Sequence, residues 1–371
     1  MIGIIDIDSF RSALTKILTV VDKKNTQPIL AYSLLEASEN SLTISATDLE
    51  VSVRVTIQAN VSKPGKYCIN PKNMFDIVRE LPEGEIHFEV GDDHNLLNLR
   101  VEKISYDILI HPVEDFPSLN FEKLDQSFEI ESSKMISIIN KTAYAVCTDE
   151  TKIFLNGIFF QEVDSKLRAV ACDGHRLSLY ETESMSDLGE SLSNGIIIPR
   201  KAISEVKRIA ETYLGGKLRI YVNDSFMYLT GDKSYWISIR LIARDYVKYQ
   251  AVIPAKTSFS VTVDKASFSN AVKRIKIMSH EKSNGVRLQI NSHSITLLAN
   301  HPSLGKASET LPVTYRGDEL EIRFNAKYLL DTLSTIEEGD VTLEINNEVS
   351  PVLIKSEKMP QFLGLIMPLR I

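Results

Sequence analysis

Apolar residues recur at i, i+3, i+4 and i+7 in three widely separated stretches. They are Phe10, Ala13, Leu14 and Ile17; Met135, Ile138 and Ile139, with Thr142 closing the pattern; and Phe268, Ala271, Val272 and Ile275. That spacing turns one face of a 3.6-residue helix toward a core. The three starts lie 125 and 133 residues apart. Each stripe is preceded by cap-type residues, Asp8 and Ser9, Ser132 and Ser133, and Asp264, whose side-chain oxygens accept hydrogen bonds from the first free helix amides. A second helix follows in each stretch, opened by Asn70-Pro71, by Pro199 or by Asn325. A lysine sets its register: Lys72 ahead of Met74, Ile77, Val78 and Leu81; Lys201 ahead of Ile203, Val206 and Ala210; Lys327 ahead of Leu329, Thr332, Leu333 and Ile336. The predicted helix windows are 8–24, 70–81, 132–141, 199–213, 264–282 and 326–338.

Between the helices the pattern changes to strict alternation, as in 41–45, 50–55 and 217–221, which predicts strands. The chain therefore reads as α+β, with one unit of two helices packed on antiparallel sheets repeated three times. Each unit closes on an apolar residue followed by proline, Phe116-Pro117, Ile253-Pro254 and Met367-Pro368. This punctuation sets expected domains at 1–124, 125–255 and 256–371.

Composition excludes several classes. The chain has 371 residues, too many for one core of ordinary domain size, and its 43% hydrophobic and 25% charged content is that of a soluble globular protein. No apolar run approaches the roughly 18 residues of a membrane span. Asp6 and Asp8 interrupt the apolar N-terminus and no basic region precedes it, so the expectation is a cytoplasmic protein without membrane contact. Cys68, Cys147 and Cys172 are odd in number and far apart, which suits reduced thiols better than a disulfide framework or a zinc site.

Charge sharpens the picture. Lysine and arginine number 42 against 49 acidic residues, a net charge of −7, which argues against a protein that coats nucleic acid with its whole surface. Yet the six helix windows hold 18 basic and 11 acidic residues, leaving 24 basic against 38 acidic for sheets and loops. Repeats that set their helices on one common surface would make a basic stripe on an acidic body, suited to phosphate contact without base reading. The candidate cations are Arg11, Lys16, Lys24, Lys72, Lys141, Arg200, Lys201, Lys207, Lys273, Arg274 and Lys327; any one of them also reads as a solvated lysine or arginine on an outer helix face.

Motifs for chemistry are absent: there is no G-x-x-x-x-G-K-[ST], H-E-x-x-H, G-x-S-x-G or C-x-x-C. Asp6 with Asp8, and Asp92-Asp93-His94, are short acidic groups of the kind found in caps and turns, and no metal or other cofactor is expected. Aromatic residues make up 8% with one tryptophan, Trp236, too thin for a single-strand stacking surface.

Four local sequences fall in order along the chain: Asp149-Glu150-Thr151-Lys152-Ile153-Phe154-Leu155-Asn156-Gly157, Ala171-Cys172-Asp173-Gly174-His175-Arg176-Leu177, Ile198-Pro199-Arg200-Lys201, and Ile366-Met367-Pro368-Leu369-Arg370-Ile371. Met74-Phe75-Asp76-Ile77, Leu81-Pro82-Glu83-Gly84 and Gly285-Val286-Arg287-Leu288 extend the series. Together they resemble the signatures of the bacterial DNA polymerase III beta subunit family, the sliding clamps. The resemblance implies a head-to-tail homodimer, six repeat domains closed into a ring around duplex DNA, with helices lining the hole and sheets outside. It implies a processivity factor without catalysis. Its expected partners are double-stranded DNA held without sequence preference, and the DNA polymerase III alpha subunit, the clamp loader, other DNA polymerases and repair proteins, all through linear peptide motifs.

The resemblance also assigns sites. DNA contacts fall on Lys24, Lys72, Lys141, Asp149, Arg200, Lys201, Lys273 and Lys327, and the subunit seam on Tyr106, Ile277 and Met278. A hydrophobic peptide groove falls on Leu155, Cys172, Gly174, His175, Arg176, Leu177, Val247, Val252, Val349, Met367, Pro368 and Leu369, with His175 and Arg176 as polar walls. Taken alone, Asp173-Gly174-His175-Arg176 is a turn with a capped end. Cys172 stands where the family usually has threonine, Val247 where it has proline, Ala251 where it has arginine, and Pro351 replaces a small polar residue. Two other readings remain open: a metal-dependent nucleic-acid-processing enzyme resting on Asp6, Asp8 and Asp173, and a protein scaffold that does not bind DNA.

Overall fold

The computed structural model describes residues 1–21, 27–91, 95–121, 126–185 and 188–370. Lys24 and the Asp92-Asp93-His94 group lie outside them. All six stripes form helices: Ile7–Ile17, Pro71–Glu80, Ser132–Thr142, Arg200–Thr212, Lys265–Lys276 and Ala326–Ser334. Their apolar residues are the buried ones, for example Phe10, Leu14 and Ile17 in the first and Phe268, Val272 and Ile275 in the fifth. Capping follows the expected chemistry at three helices, but Ser132 and Ser133 lie inside the third helix instead of capping it, and the Ser132 hydroxyl is buried without a hydrogen-bond partner among the described residues. Asp264 accepts from the Ser267 amide at 2.8 Å, Asn70 from that of Asn73 at 3.0 Å and Asn325 from that of Lys327 at 2.9 Å. The first helix is capped by Asp6, which accepts from Ser9 at 2.8 Å, while Asp8 and Ser9 lie inside the first turn.

Five of the six helices are shorter than their windows, the first and the fifth by the most. The fifth stops at Lys276, not near 282, because Ser279 turns back on it. The Ser279 hydroxyl and amide both donate to the Lys276 carbonyl, at 2.7 and 3.0 Å, which satisfies a helix-end acceptor and redirects the chain. The first stops at Ile17, where the Thr19 hydroxyl bonds the Lys16 carbonyl at 2.9 Å.

The strands are paired antiparallel throughout. One sheet of five runs in the spatial order Asn60–Lys63, Ile2–Asp6, Glu85–Val90, Leu96–Val101, Ile104–Leu109. A sheet of eight runs Phe128–Glu131, Lys217–Val222, Phe226–Thr230, Tyr235–Arg240, Val51–Gln58, Ser41–Thr47, Ser33–Ser38, Gly65–Ile69. A sheet of nine runs Ile196–Pro199, Gly157–Val163, Lys166–Cys172, Arg176–Ser184, Phe362–Ile366, Val352–Lys355, Asp340–Ile345, Phe259–Asp264, Thr314–Tyr315. The last, of four, runs Gly305–Pro312, Ser294–His301, Gly285–Ile290, Leu320–Asn325.

Two of these sheets cross the sequence punctuation. Tyr235–Arg240 pairs with Val51–Gln58, Ile237 opposite Val53, and Phe362–Ile366 pairs with Arg176–Ser184, Leu365 opposite Leu177. The middle repeat is thus divided between two compact units, Met1–Met135 with Ser204–Leu241, and Ile136–Ile203 with Ile242–Ile371. In the second unit the helices Lys265–Lys276 and Ala326–Ser334 close a core of fully buried side chains that includes Phe268, Phe324, Leu329 and Leu343.

Candidate functional site

The second unit brings the Asp173-Gly174-His175-Arg176 sequence to a turn between Lys166–Cys172 and Arg176–Ser184. Asp173 Oδ1 accepts from the amides of His175 and Arg176, at 2.8 and 3.0 Å, and Gly174 takes φ +92°, a backbone region that a side chain disfavours. Across the sheet from this turn run Cys172, Leu177, Leu365 and Leu353 as successive partners. Around Leu177 and Leu365 an apolar cluster gathers Phe159, Val170, Leu179 and Tyr249, with Cys172, Tyr246, Val247 and Met367 partly exposed at its margin. The Met367 amide donates to the His175 carbonyl at 2.8 Å, which ties the chain end to the turn.

Of the twelve groove residues, Cys172, Leu177, Val247 and Met367 thus share one apolar cluster, with Gly174 and His175 exposed beside it on the turn. Leu155 and Pro368 are buried, Leu369 is half-buried, and Val252 and Val349 are exposed on their own loops at 47% and 62%. Arg176 departs from the expected polar wall. It is buried, and its guanidinium donates to Asp173 Oδ2 at 3.0 Å, Asp331 Oδ2 at 2.6 Å and the Tyr144 carbonyl at 2.6 Å, while lying 4.5 Å from the Tyr328 ring centroid. Burial works against its charge, but the Asp331 bond and the two carboxylates outweigh that and hold the proton more firmly than on a free arginine. Arg176 is a strut beneath the groove. His175 is exposed beside the apolar cluster, stacked on Tyr328 with ring centroids 6.2 Å apart.

The six repeat helices carry 15 basic and 6 acidic residues, so their positive excess survives the shorter bounds. The individual cations differ. Lys72, Lys201 and Lys327 each occupy the second position of a helix, and all three are exposed. A cation there opposes the helix dipole, at a cost of about 0.3–1 kcal/mol each, so three repetitions are not explained by helix stability. Arg200 and Lys273 are exposed as well. Lys141 is a correction: it is buried, its ammonium donates to the Thr335 carbonyl, and it lies 3.4 Å from Glu337, so it is spent on holding the fold. Asp149 is an anion that accepts from the Thr151 amide and hydroxyl at 3.0 and 2.7 Å; those bonds hold its carboxyl below the usual range, and it shapes its own turn. Arg11 is committed to Asp8 and to the Val78 and Leu81 carbonyls, Arg274 to Glu309, and Lys207 to Glu211. Lys16 lies 5.1 Å from the Tyr235 ring centroid, its pKa lowered by burial.

One edge strand carries exposed apolar side chains, and a second has exposed apolar residues beside it. In the first unit Ile104–Leu109 ends the sheet of five with Ile104, Tyr106 and Leu109 exposed. In the second unit Gly305–Pro312 ends the sheet of four, and Ile277 and Leu304 are exposed at 72% and 63%; Met278 is half-buried. Open apolar edges of this kind invite another chain. The acidic residues of the enzyme reading are accounted for otherwise: Asp6 caps a helix, Asp8 pairs with Arg11, and Asp173 holds the turn. Among the described residues no three His, Cys, Asp or Glu side chains gather as a metal site.

Sequence profiles of the DNA polymerase III beta subunit match three consecutive parts of the chain: its N-terminal domain at 1–120, its central domain at 129–248 and its C-terminal domain at 250–370. The chain belongs to the DNA polymerase III beta subunit family. It is 32% identical over 370 residues to the beta sliding clamp of Caulobacter vibrioides, covering 97% of this chain and 98% of that one. It is 30% identical over 353 residues to that of Escherichia coli K12, covering 93% of each. Among solved structures, a sliding clamp from Bartonella birtlesii bound to griselimycin superposes with a TM-score of 0.92 at 31% identity, and the polymerase III beta subunit of Caulobacter crescentus with 0.94 at 31%, each over the whole of both chains.

Within this family frame, several groove neighbours escaped the sequence reading. Tyr246 stacks on Phe159 at 4.7 Å with the rings parallel, and Tyr249 is anchored by Arg168 at 3.2 Å and Gln161 at 3.3 Å. Tyr328 and Asp331, one turn apart on Ala326–Ser334, support His175 and Arg176. The tyrosines at 246 and 249, flanking Val247, were the available signal for the first pair; no local signal marks the second. Cys172 takes the half-buried position next to Leu177, and its sulfur accepts from the Gly174 amide at 3.4 Å.

Proposed function

We infer that the chain is a sliding clamp: a head-to-tail pair encircles duplex DNA and tethers the replicative polymerase through the groove beside His175. The observation that carries this reading is a strand joint made twice within the chain. In each joint the last strand of one repeat pairs with the fourth strand of the preceding repeat, Tyr235–Arg240 with Val51–Gln58 and Phe362–Ile366 with Arg176–Ser184. Two strands of those types, Ile104–Leu109 and Gly305–Pro312, keep one edge unpaired among the described residues. A second copy supplies the missing partner at both, and heterologous contacts that close in this way form a ring.

A ring holds DNA by topology, so its phosphate contacts need only be weak and blind to sequence. Lys72, Arg200, Lys201, Lys273 and Lys327 suit that task, and the amides at the three helix starts favour the same phosphates. A base-specific contact of about 1–3 kcal/mol would stop the ring at its site. Tethering acts through effective concentration: a polymerase held to the ring rebinds its template before diffusing away. No bond is made or broken by this chain, and the ATP-driven opening belongs to a loader. We place the protein in the cytoplasm with the replication machinery; no helix is long and apolar enough to cross a membrane.

The test is a fluorescence-polarisation titration with a labelled peptide of the Gln-Leu-x-Leu-Phe type, against the native chain and Met367→Lys. Saturable binding by the native chain, lost in the variant, is the expected result. Equal binding by both would remove the groove from the account.

A further inference from the structure

We propose that the helix-free face of the four-stranded sheet carries a cationic extension of the groove, which binds an acidic segment flanking the docked peptide of a partner protein; this rests on the groove reading above. A cavity of about 610 Å³ opens on this face of the second unit. Its charged lining is Arg287, Lys306, Arg323 and Arg370, with no carboxylate.

Strand register explains how the cations converge. Ser308, Leu298, Arg287 and Arg323 are successive partners across the four strands, and Lys306, Asn300, Gly285 and Asn325 form the next row on the same face. The alternate residues Val286, Leu288, Leu297 and Phe324 are buried against the helices. Gly285 has no side chain in the middle of the second row, and Leu369 closes over it, its Cδ1 3.6 Å from where a Cβ would stand. Glu321, on the same face one row beyond, lies 3.4 Å from both Arg287 and Arg323 and offsets part of their charge; Lys306 and Arg370 are exposed.

Continuity with the groove comes through the chain end. Met367 is tied to the His175 carbonyl, and two residues later the Leu369 amide donates to the Arg323 carbonyl at 2.7 Å, so Leu369 lines the cavity and Arg370 follows it. The sign of the charge selects an anionic ligand. Its position on the face opposite Lys265–Lys276 and Ala326–Ser334 selects against the duplex, which the helices are read to meet. A peptide already seated at Met367 places its flank here. A second cavity, in the first unit, mixes His87 and Arg100 with Glu89 and Glu102, so a positive lining is not a general property of these sheets.

The experiment uses three labelled peptides with the same Gln-Leu-x-Leu-Phe core: neutral flanks, three glutamates before the core, or three after it. They are titrated against the native chain and an Arg287→Gln, Arg370→Glu double variant, which leaves the edge strand Gly305–Pro312 unchanged. One acidic peptide is expected to bind the native chain about 5- to 10-fold more tightly than the neutral one at low salt, as two or three half-exposed ion pairs allow. That gain should vanish in 0.5 M salt and in the variant, while the neutral peptide binds both proteins alike, which also verifies that the variant is folded. A neutral peptide that binds while neither acidic flank adds affinity, or a gain that survives in the variant, would overturn the extension alone. Failure of the neutral peptide to bind would overturn the groove and the extension with it.

Discussion

Replacing Arg176 with methionine should weaken the second unit without touching the first. The native guanidinium, 9% exposed, makes bonds to Asp331 at 2.6 Å, Asp173 at 3.0 Å and the Tyr144 carbonyl at 2.6 Å. Removing one partner of a buried ion pair costs about 3–5 kcal/mol when the other is left without solvent. Here the loss is smaller, because the Asp331 side chain is 30% exposed and Asp173 keeps two backbone amides. The expected cost is about 2–4 kcal/mol, a large part of the ~5–15 kcal/mol that holds a typical domain. The only tryptophan, Trp236, lies in the first unit, so its fluorescence and far-UV circular dichroism report different mixtures of the two. In a urea titration the variant should lose about 1 M of midpoint in the dichroism phase belonging to the second unit, with a much smaller shift in fluorescence. Peptide affinity should fall too, since Arg176 supports the turn and Tyr328. A dichroism midpoint within about 0.2 M of the native one would refute the strut.

Three further outcomes follow from the same structure. Burial, helped by the charges of Glu114 and Asp115, raises the Cys68 thiol from 9.0 to about 11. A pKa raised on folding gives stability that is present below the unfolded value and lost as pH climbs through the folded one, so stability should fall between about pH 9 and 11. That alkaline loss, followed by urea midpoints, should be smaller in Cys68→Ala. Lys72→Glu with Lys327→Glu should reduce DNA retention and flatten its salt dependence by about 0.9 logarithmic unit for each phosphate no longer neutralised, whereas Lys141→Gln should lower the melting temperature first. Tyr106→Arg or Ile277→Asp should shift sedimentation toward the 41.7 kDa single chain, and an unchanged dimer would remove these residues from the seam.

The sequence made legible whatever is local and periodic. Stripes such as Phe10, Ala13, Leu14 and Ile17 locate helices because burial depends on a 3.6-residue period, and the lysine register survived because it is counted from the same period. Helix ends were less legible, since Ser279 and Thr19 act through individual bonds to nearby carbonyls that no period records. Long-range partners were hidden altogether. Asp331 is 155 residues from Arg176, and Thr335 is 194 from Lys141, so a groove wall and a phosphate-binding lysine read from resemblance became a strut and a buried clamp on the fold. The strand joints belong to the same class: nothing local in Tyr235–Arg240 says that Val51–Gln58 completes it. The resemblance pointed to the groove through nine of its twelve residues, which fall in three short sequences, and it left out Tyr246, on the loop beside Val247, and Tyr328, on the helix Ala326–Ser334.

The central claim is topological, and one measurement addresses it directly. The protein is assembled by its loader on a nicked circular DNA, isolated by gel filtration in moderate salt, and followed after the circle is cut at one site. Encirclement predicts long retention on the closed circle and prompt loss from the linear product, restored by a bulky protein block at each end. Equal dwell times on circular and linear DNA would mean that the chain holds DNA by affinity, and the ring would have to be abandoned.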